Sequence, residues 1–360
     1  MSEPESYSVI GAEWPGCSSE QPGCLKELVE STSRNGADEV LSIERCLPDG
    51  WLARALRADV RKGLTSSPKR LEAKWHYDAA GSELFEQIME LDAYYLTRAE
   101  RSILGARAHE ISAATGAFTL VDLGCGSASK TRLLLNALRK AGSLGRYVAV
   151  DVSESALVGA CARVKREYPG VRVQAVVSDY EQRLGLPDHG EPMLVAFLGS
   201  TIGQLAPAER GMVLTSLKRS LKPGDALLIG TDLVKDPAVM MLAYDDPAGV
   251  AAQFNLNLLR RLNAELGADF DPDAFAHLVR WDESNEWIEV GVRALADQVV
   301  MVGALGLTVA FREGEEMRTA IMAKFRRDRV EAELAAVGLV MRSWWTDERE
   351  QFSMSLSVPA

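Results

Sequence analysis

The chain is poor in residues that build metal and disulfide sites. It has only four histidines, none in a ligand-like spacing, and its five cysteines (Cys17, Cys24, Cys46, Cys125 and Cys161) form no paired register with them. A metal site is therefore not expected, and an odd number of cysteines suits a reducing compartment. Positive charge is also short: 40 Lys and Arg stand against 51 Asp and Glu, for a formal net charge of −11. A nucleic-acid groove would need a local basic patch, and none is found. The sequence has no apolar run of about 18 residues and no basic-plus-apolar leader. The expectation is a cytoplasmic protein, with neither nucleic acid nor membrane as partner, acting as a monomer on a small molecule. Internal repeats are absent.

What is present is the composition of a globular protein, with 47% hydrophobic and 25% charged residues. The stretch FTLVDLGCGSASKTR (118–132) organises the rest. Phe118 to Leu123 reads as a buried strand, Gly124 and Gly126 as a tight turn, and Thr131 to Leu138 as a helix. Such a turn lies at the carboxyl end of a strand and beside a helix amino end, where open α/β sheets bind ligands. The next apolar run, GRYVAVDVS (145–153), ends in Asp151. An acid there accepts both hydroxyls of an adenosine ribose, which NAD and S-adenosylmethionine share. The missing third glycine of a pyrophosphate loop favours S-adenosylmethionine. Its ammonium needs an acid or a carbonyl, and its carboxylate needs backbone N–H groups, Lys130 or Thr131. A third strand, VRVQAVVSDY (171–180), presents Asp179 for the adenine amine and Tyr180 for packing on the ring.

Leu194 to Leu198 is apolar enough for the centre of a parallel sheet, and GSTIGQ follows at its carboxyl end. Gly199 allows close backbone approach there, and Gln204 is suited to meet an α-amine or a carboxylate. Upstream, Tyr77, Phe85, Tyr94 and Tyr95 form an aromatic cluster suited to an amine becoming a quaternary ammonium, because ring faces attract a cation that has no N–H left. Ser82 is the expected cap of a helix over Glu83–Met89. The βαβ rhythm breaks between 234 and about 305, where a long helical pattern gives way to strongly alternating strands. The fold expected is a Rossmann-like seven-stranded methyltransferase sheet with a second α+β substrate-binding domain. Residues 1–38 read as a disordered tail, 39–98 as a helical part of the substrate domain and 99–233 as the cofactor domain. Residues 234–324 read as the substrate-domain insertion, and 325–360 as the return to the main sheet.

YDAAGSELFEQI, the Tyr94–Glu100 run, DLGCGSASKTR, GSTIG, YDDPAGVAAQFNLNLLRRLN and GEEMRTAIMAKF together resemble the actinobacterial histidine Nα-methyltransferases, which make hercynine for ergothioneine biosynthesis. The likeness runs from about residue 40 to the end. It implies S-adenosylmethionine bound by Tyr77, Gly124, Gly126, Lys130, Asp151, Asp179 and Tyr180. It also implies the amino-acid end of the substrate held around Tyr77, Phe85, Tyr94, Gly199, Gln204 and Tyr244. Tyr94, Gln204 and Tyr244 are the candidate catalytic residues, with no histidine expected in the site and with water or a tyrosine taking the amine proton.

The pocket departs from the family at four positions. Gln204 replaces an asparagine, Ala320 a glutamate, Met322 a serine and Val290 a methionine. An imidazole left unpaired would cost about 1–3 kcal/mol per buried group. The departures therefore lead to the expectation of a bulkier, less basic acceptor, L-tryptophan, with L-histidine as the alternative.

Overall fold

The computed structural model describes the whole chain apart from residues 1–6, 11–24, 33–37, 180–183, 185 and 187–188. In chain order, strands β1 (Tyr7–Ile10), β2 (Leu25–Thr32) and β3 (Asp38–Arg45) precede helix α1 (Trp51–Thr65), the short β4 (Lys69–Arg70), α2 (Ala79–Glu90) and α3 (Tyr95–Thr115). An alternating series follows: β5 (Thr119–Leu123), α4 (Arg132–Ala141), β6 (Arg146–Asp151), α5 (Glu154–Glu167), β7 (Arg172–Val177), β8 (Met193–Phe197), α6 (Pro207–Ser220) and β9 (Ala226–Asp232). Helices α7 (Pro237–Leu242) and α8 (Val250–Leu266) lead into β10 (Phe275–Asp282), β11 (Trp287–Ala294), β12 (Gln298–Val302), β13 (Leu307–Phe311) and β14 (Glu316–Ala323). The chain closes with α9 (Arg327–Ala336), β15 (Leu339–Thr346) and β16 (Phe352–Pro359).

The main sheet runs β1-β2-β3-β7-β6-β5-β8-β9-β16-β15. From β7 to β9 every pairing is parallel, and β16 lies antiparallel to both β9 and β15. The seven strands from β7 to β15 form the expected Rossmann-like methyltransferase sheet. Its central strands read as continuous apolar runs because both faces are covered. In β6, Tyr147 and Ala149 enter one core and Val148 and Val150 the other; in β8, Leu194 and Ala196 are divided in the same way from Val195 and Phe197. Strand order reverses at β5, so the ends of β5, β6 and β8 open a crevice for a ligand.

The second layer is a four-stranded sheet, β10-β11-β14-β4, beside the β12–β13 hairpin. A third core joins α1 and the segment after it (Leu56, Val60, Trp75) to α8 (Leu258, Leu262) and to Val292 of β11. Two details differ from the sequence expectation. Helix α2 is capped by Asp78, whose carboxylate accepts from the Gly81 N–H at 2.7 Å, and Ser82 lies inside the helix. The tail expected over 1–38 contains paired strands where it is described, and β3 joins β7 in parallel. The few apolar residues of β2 and β3 show no clean period. An open edge on β7 nevertheless offers a row of backbone partners that β3 occupies, and β2 pairs with β3 in turn. The remainder of 1–38 lies outside the described residues.

Candidate active site

The turn after β5 is built by its glycines and an internal brace. Gly124 and Gly126 both adopt positive φ, at 66° and 47°. Asp122 is buried and accepts from the Thr131 hydroxyl and, at 3.2 Å, from the Tyr147 hydroxyl. Burial pushes its carboxyl up to about 6, against the pull of those two donors. Thr131 therefore braces the turn and does not present its hydroxyl to a ligand carboxylate. Asp151, at the end of β6, accepts from the Ser153 N–H at 3.0 Å and from the Gly126 N–H at 3.4 Å, which ties the second strand end to the glycine turn. Asp179 is buried and paired with Lys74 at 3.3 Å. Gly124, Gly126, Lys130, Asp151 and Asp179 all line one cavity of about 590 Å³. Tyr180 lies outside the described residues.

The same cavity takes in every remaining candidate: Tyr77, Phe85, Tyr94, Gly199, Gln204, Tyr244, Val290, Ala320 and Met322. Its aromatic wall is continuous. Tyr77 meets Phe85 and Phe254 edge-on, each with ring centroids 5.5 Å apart; Phe85 meets Tyr94 at 6.1 Å, and Tyr94 meets Tyr244 at 6.2 Å. Gln204 donates its Nε2–H to the Tyr77 hydroxyl oxygen at 3.1 Å. Burial raises the Tyr77 phenol to about 12 and holds Tyr94 and Tyr244 well above the ordinary range for tyrosine. Tyr95, the fourth aromatic of the expected cluster, instead donates to Asp232 at 2.9 Å, away from the cavity wall.

The sequence reading missed several polar groups here. His76, Asn255, His277 and Lys324 all line the cavity, so the expectation of a site without histidine is corrected. His277 donates from Nε2 to the Tyr244 carbonyl at 2.9 Å and accepts at Nδ1 from Asn255 Nδ2, also at 2.9 Å. Asn255 also donates to the Gly291 carbonyl and accepts from the Thr319 hydroxyl. β10 carries His277, and its half-buried pattern shows little alternation in the sequence. Lys324 had a legible signal: one residue beyond β14, it continues the period-two series of Ala320 and Met322 that lines the cavity.

The model of the family described as "Histidine-specific methyltransferase, SAM-dependent" matches residues 56–359. The chain belongs to this family. Histidine N-alpha-methyltransferase of Mycobacterium tuberculosis is 53% identical over 303 residues, 84% of this chain and 94% of the relative. The enzyme of the same name from Mycolicibacterium smegmatis is 51% identical over 318 residues, 88% and 99% of the two chains. N-methyltransferase fsqC of Aspergillus fumigatus is 27% identical over 316 residues, 85% and 84%. The chain is thus an S-adenosylmethionine-dependent amino-acid N-methyltransferase, and the expectation of S-adenosylmethionine as cofactor holds.

Membership of a histidine-specific family, with two histidine enzymes above 50% identity, overturns the expectation of tryptophan as acceptor. That expectation treated positions 290, 320 and 322 as the whole side-chain wall. The wall also includes Asn255 and His277, from elements that the sequence had not brought to the pocket. Their polar atoms are engaged with one another, with Thr319 and with backbone carbonyls.

Proposed function

We propose that the chain methylates the α-amino nitrogen of L-histidine, up to the trimethylated betaine hercynine, with S-adenosylmethionine as donor. What carries this reading is a single cavity in which a donor-type glycine turn opposes an aromatic-lined acceptor chamber, in a chain that aligns over 84% of its length with a histidine N-alpha-methyltransferase. On this reading Asp151 receives the ribose hydroxyls, Asp179 the adenine amine, and the Gly124–Gly126 turn with Lys130 the amino-acid tail of the donor. The donor supplies a methyl group on a sulfonium: the nitrogen lone pair would form the N–C bond in line as the S–C bond breaks, its electrons leaving on sulfur as the thioether S-adenosylhomocysteine.

The chain's own residues hold and orient the amine. Because Gln204 donates to the Tyr77 oxygen, the phenolic proton of Tyr77 is free to turn toward the cavity. Buried Tyr77, Tyr94 and Tyr244 stay protonated near neutral pH, so none of them is a phenolate base, and the amine proton leaves to water. As methyl groups accumulate, the nitrogen loses its donors, and the faces of Phe85, Tyr94 and Phe254 provide the remaining attraction. Little net charge is created, so orientation and exclusion of water supply most of the rate. Residues 39–98 and 234–324 act together as the acceptor lobe, which their shared core supports.

The test is incubation with S-adenosylmethionine and an equimolar set of the common amino acids, read by mass spectrometry for one, two and three added methyl groups. Histidine should be consumed first and converted to the trimethylated form. Preferential methylation of any other amino acid would overturn the reading.

A further inference from the structure

Behind Tyr244 lies a buried charged cluster that the reaction, as described so far, does not use. Lys324 is only 1% exposed, yet it lines the cavity. Its ammonium donates to the Tyr244 hydroxyl oxygen at 2.9 Å and pairs with Asp232 at 2.8 Å. Asp232 is fully buried at the end of β9; its other oxygen takes Lys235 at 2.6 Å, and the Tyr95 hydroxyl donates to both oxygens. One carboxylate thus serves two ammonium groups. The backbone N–H of Asp232 donates to the Ser200 hydroxyl at 3.0 Å, fixing the cluster to the loop after β8.

A phenol has one proton and two lone pairs. With Lys324 donating to the Tyr244 oxygen, the phenolic proton cannot point back at the lysine and turns toward the cavity. The hydroxyl that faces the cavity is then a fixed donor backed by a buried cation. Such a pair suits an anionic acceptor, and the α-carboxylate is the one anion that every free α-amino acid carries. Burial lowers the ammonium pKa of Lys324, and Asp232 opposes that shift.

We infer that Lys324 is a positioning residue: through Tyr244 it selects an acceptor that carries an α-carboxylate over the corresponding simple amine. This inference rests on the acceptor being a free α-amino acid, as proposed above.

The experiment compares kcat/KM for histidine and for histamine, its decarboxylated amine, in the unaltered protein, Lys324→Met and Tyr244→Phe, with S-adenosylmethionine affinity measured in parallel. The unaltered protein should favour the acid. In Lys324→Met that preference should collapse by about tenfold to a hundredfold, the scale of one charge-assisted hydrogen bond, through KM for the acid, with donor affinity unchanged. The double variant should be no worse than Tyr244→Phe alone. A purely structural role for Lys324 would instead depress acid and amine equally, and that result would overturn the inference. So would a preference that survives in Lys324→Met, or its absence in the unaltered protein. If Lys324→Met does not fold, Lys324→Gln decides, because it keeps a donor for the Tyr244 oxygen and removes the charge: an unchanged preference there also overturns the inference, and a lowered one supports it. If another amino acid proves to be the acceptor, the histidine reading falls, while the ratio for that acid and its own amine still decides the role of Lys324.

Discussion

Glu100 and Gly230 fit together with no room for a side-chain carbon between them: a Cβ on Gly230 would lie 2.3 Å from Oε1 of Glu100. The same Oε1 accepts the Gly199 N–H at 2.7 Å, and Oε2 pairs with Lys130. Glu100 is fully buried, so a single carboxylate fastens Lys130, after the glycine turn, to the loop that follows β8. Glu100→Ala strands an ammonium and an N–H and should cost about 3–5 kcal/mol of stability. Gly230→Ala, which dislodges the carboxylate without removing it, should cost about 1–3 kcal/mol. Urea denaturation of both variants checks the order; a Gly230→Ala protein as stable as the unaltered one would show that Glu100 has somewhere else to go.

Asp122 makes stability depend on pH. Its folded value, near 6, lies above its ordinary 3.8, so the folded state holds the proton more tightly than the unfolded chain. The contribution is fully present below about pH 4 and is lost as pH rises through about 6, amounting to about 3 kcal/mol across that window. Asp122→Asn removes the titration. The stability of the unaltered protein relative to this variant should therefore be greater at pH 4 than at pH 7, by paired denaturation curves. A difference that stays flat would count against a buried, proton-holding Asp122.

Tyr94→Phe retains the ring face and removes the hydroxyl. Binding of the trimethylated product should be nearly unchanged, because a quaternary ammonium has no N–H to share. Turnover of the free amine should fall as its alignment loosens. Calorimetric titration with product separates the two effects, and loss of most product affinity would refute attraction by the ring face.

Asp151→Asn tests the donor end. Replacing an acceptor-only carboxylate with an amide turns one of its two oxygens into a donor, so S-adenosylmethionine should bind about tenfold more weakly, with little change in affinity for the amino acid. Equilibrium binding of each ligand alone is the measurement.

The donor half was legible in the sequence because each of its signals is local. The glycine turn directly follows one apolar run and Asp151 directly ends the next, and the sheet register brings Gly126 to Asp151. The acceptor half draws on positions far apart in the chain. Val290 and Ala320 face each other across the β11–β14 pairing, and their place in the pocket came from family likeness. The likeness gave no pocket role to Asn255, His277 or Lys324, although two of them lie in its motifs, and the meeting of Asn255 with His277 depends on how α8 crosses the small sheet. The tryptophan expectation was judged from three residues of the wall, and it is the family and its histidine-acting members that overturn it. Tyr95 shows the opposite error, since an aromatic beside Tyr94 in sequence turns to Asp232 in space.

The backbone at the edge of the insertion is closed on itself. Leu233, where the chain leaves β9, bridges Phe325, where it returns from β14, and the Phe325 N–H donates to the Asp232 carbonyl at 2.8 Å. The stretch 234–324 thus departs and arrives through a single gateway one strand-spacing wide, and its contents do not alter the order of the main sheet. The stretch nevertheless leans on the segment before the main sheet, since β4 pairs with β14 and α1 shares a core with α8, so a transplant of 234–324 alone would leave that shared core mismatched.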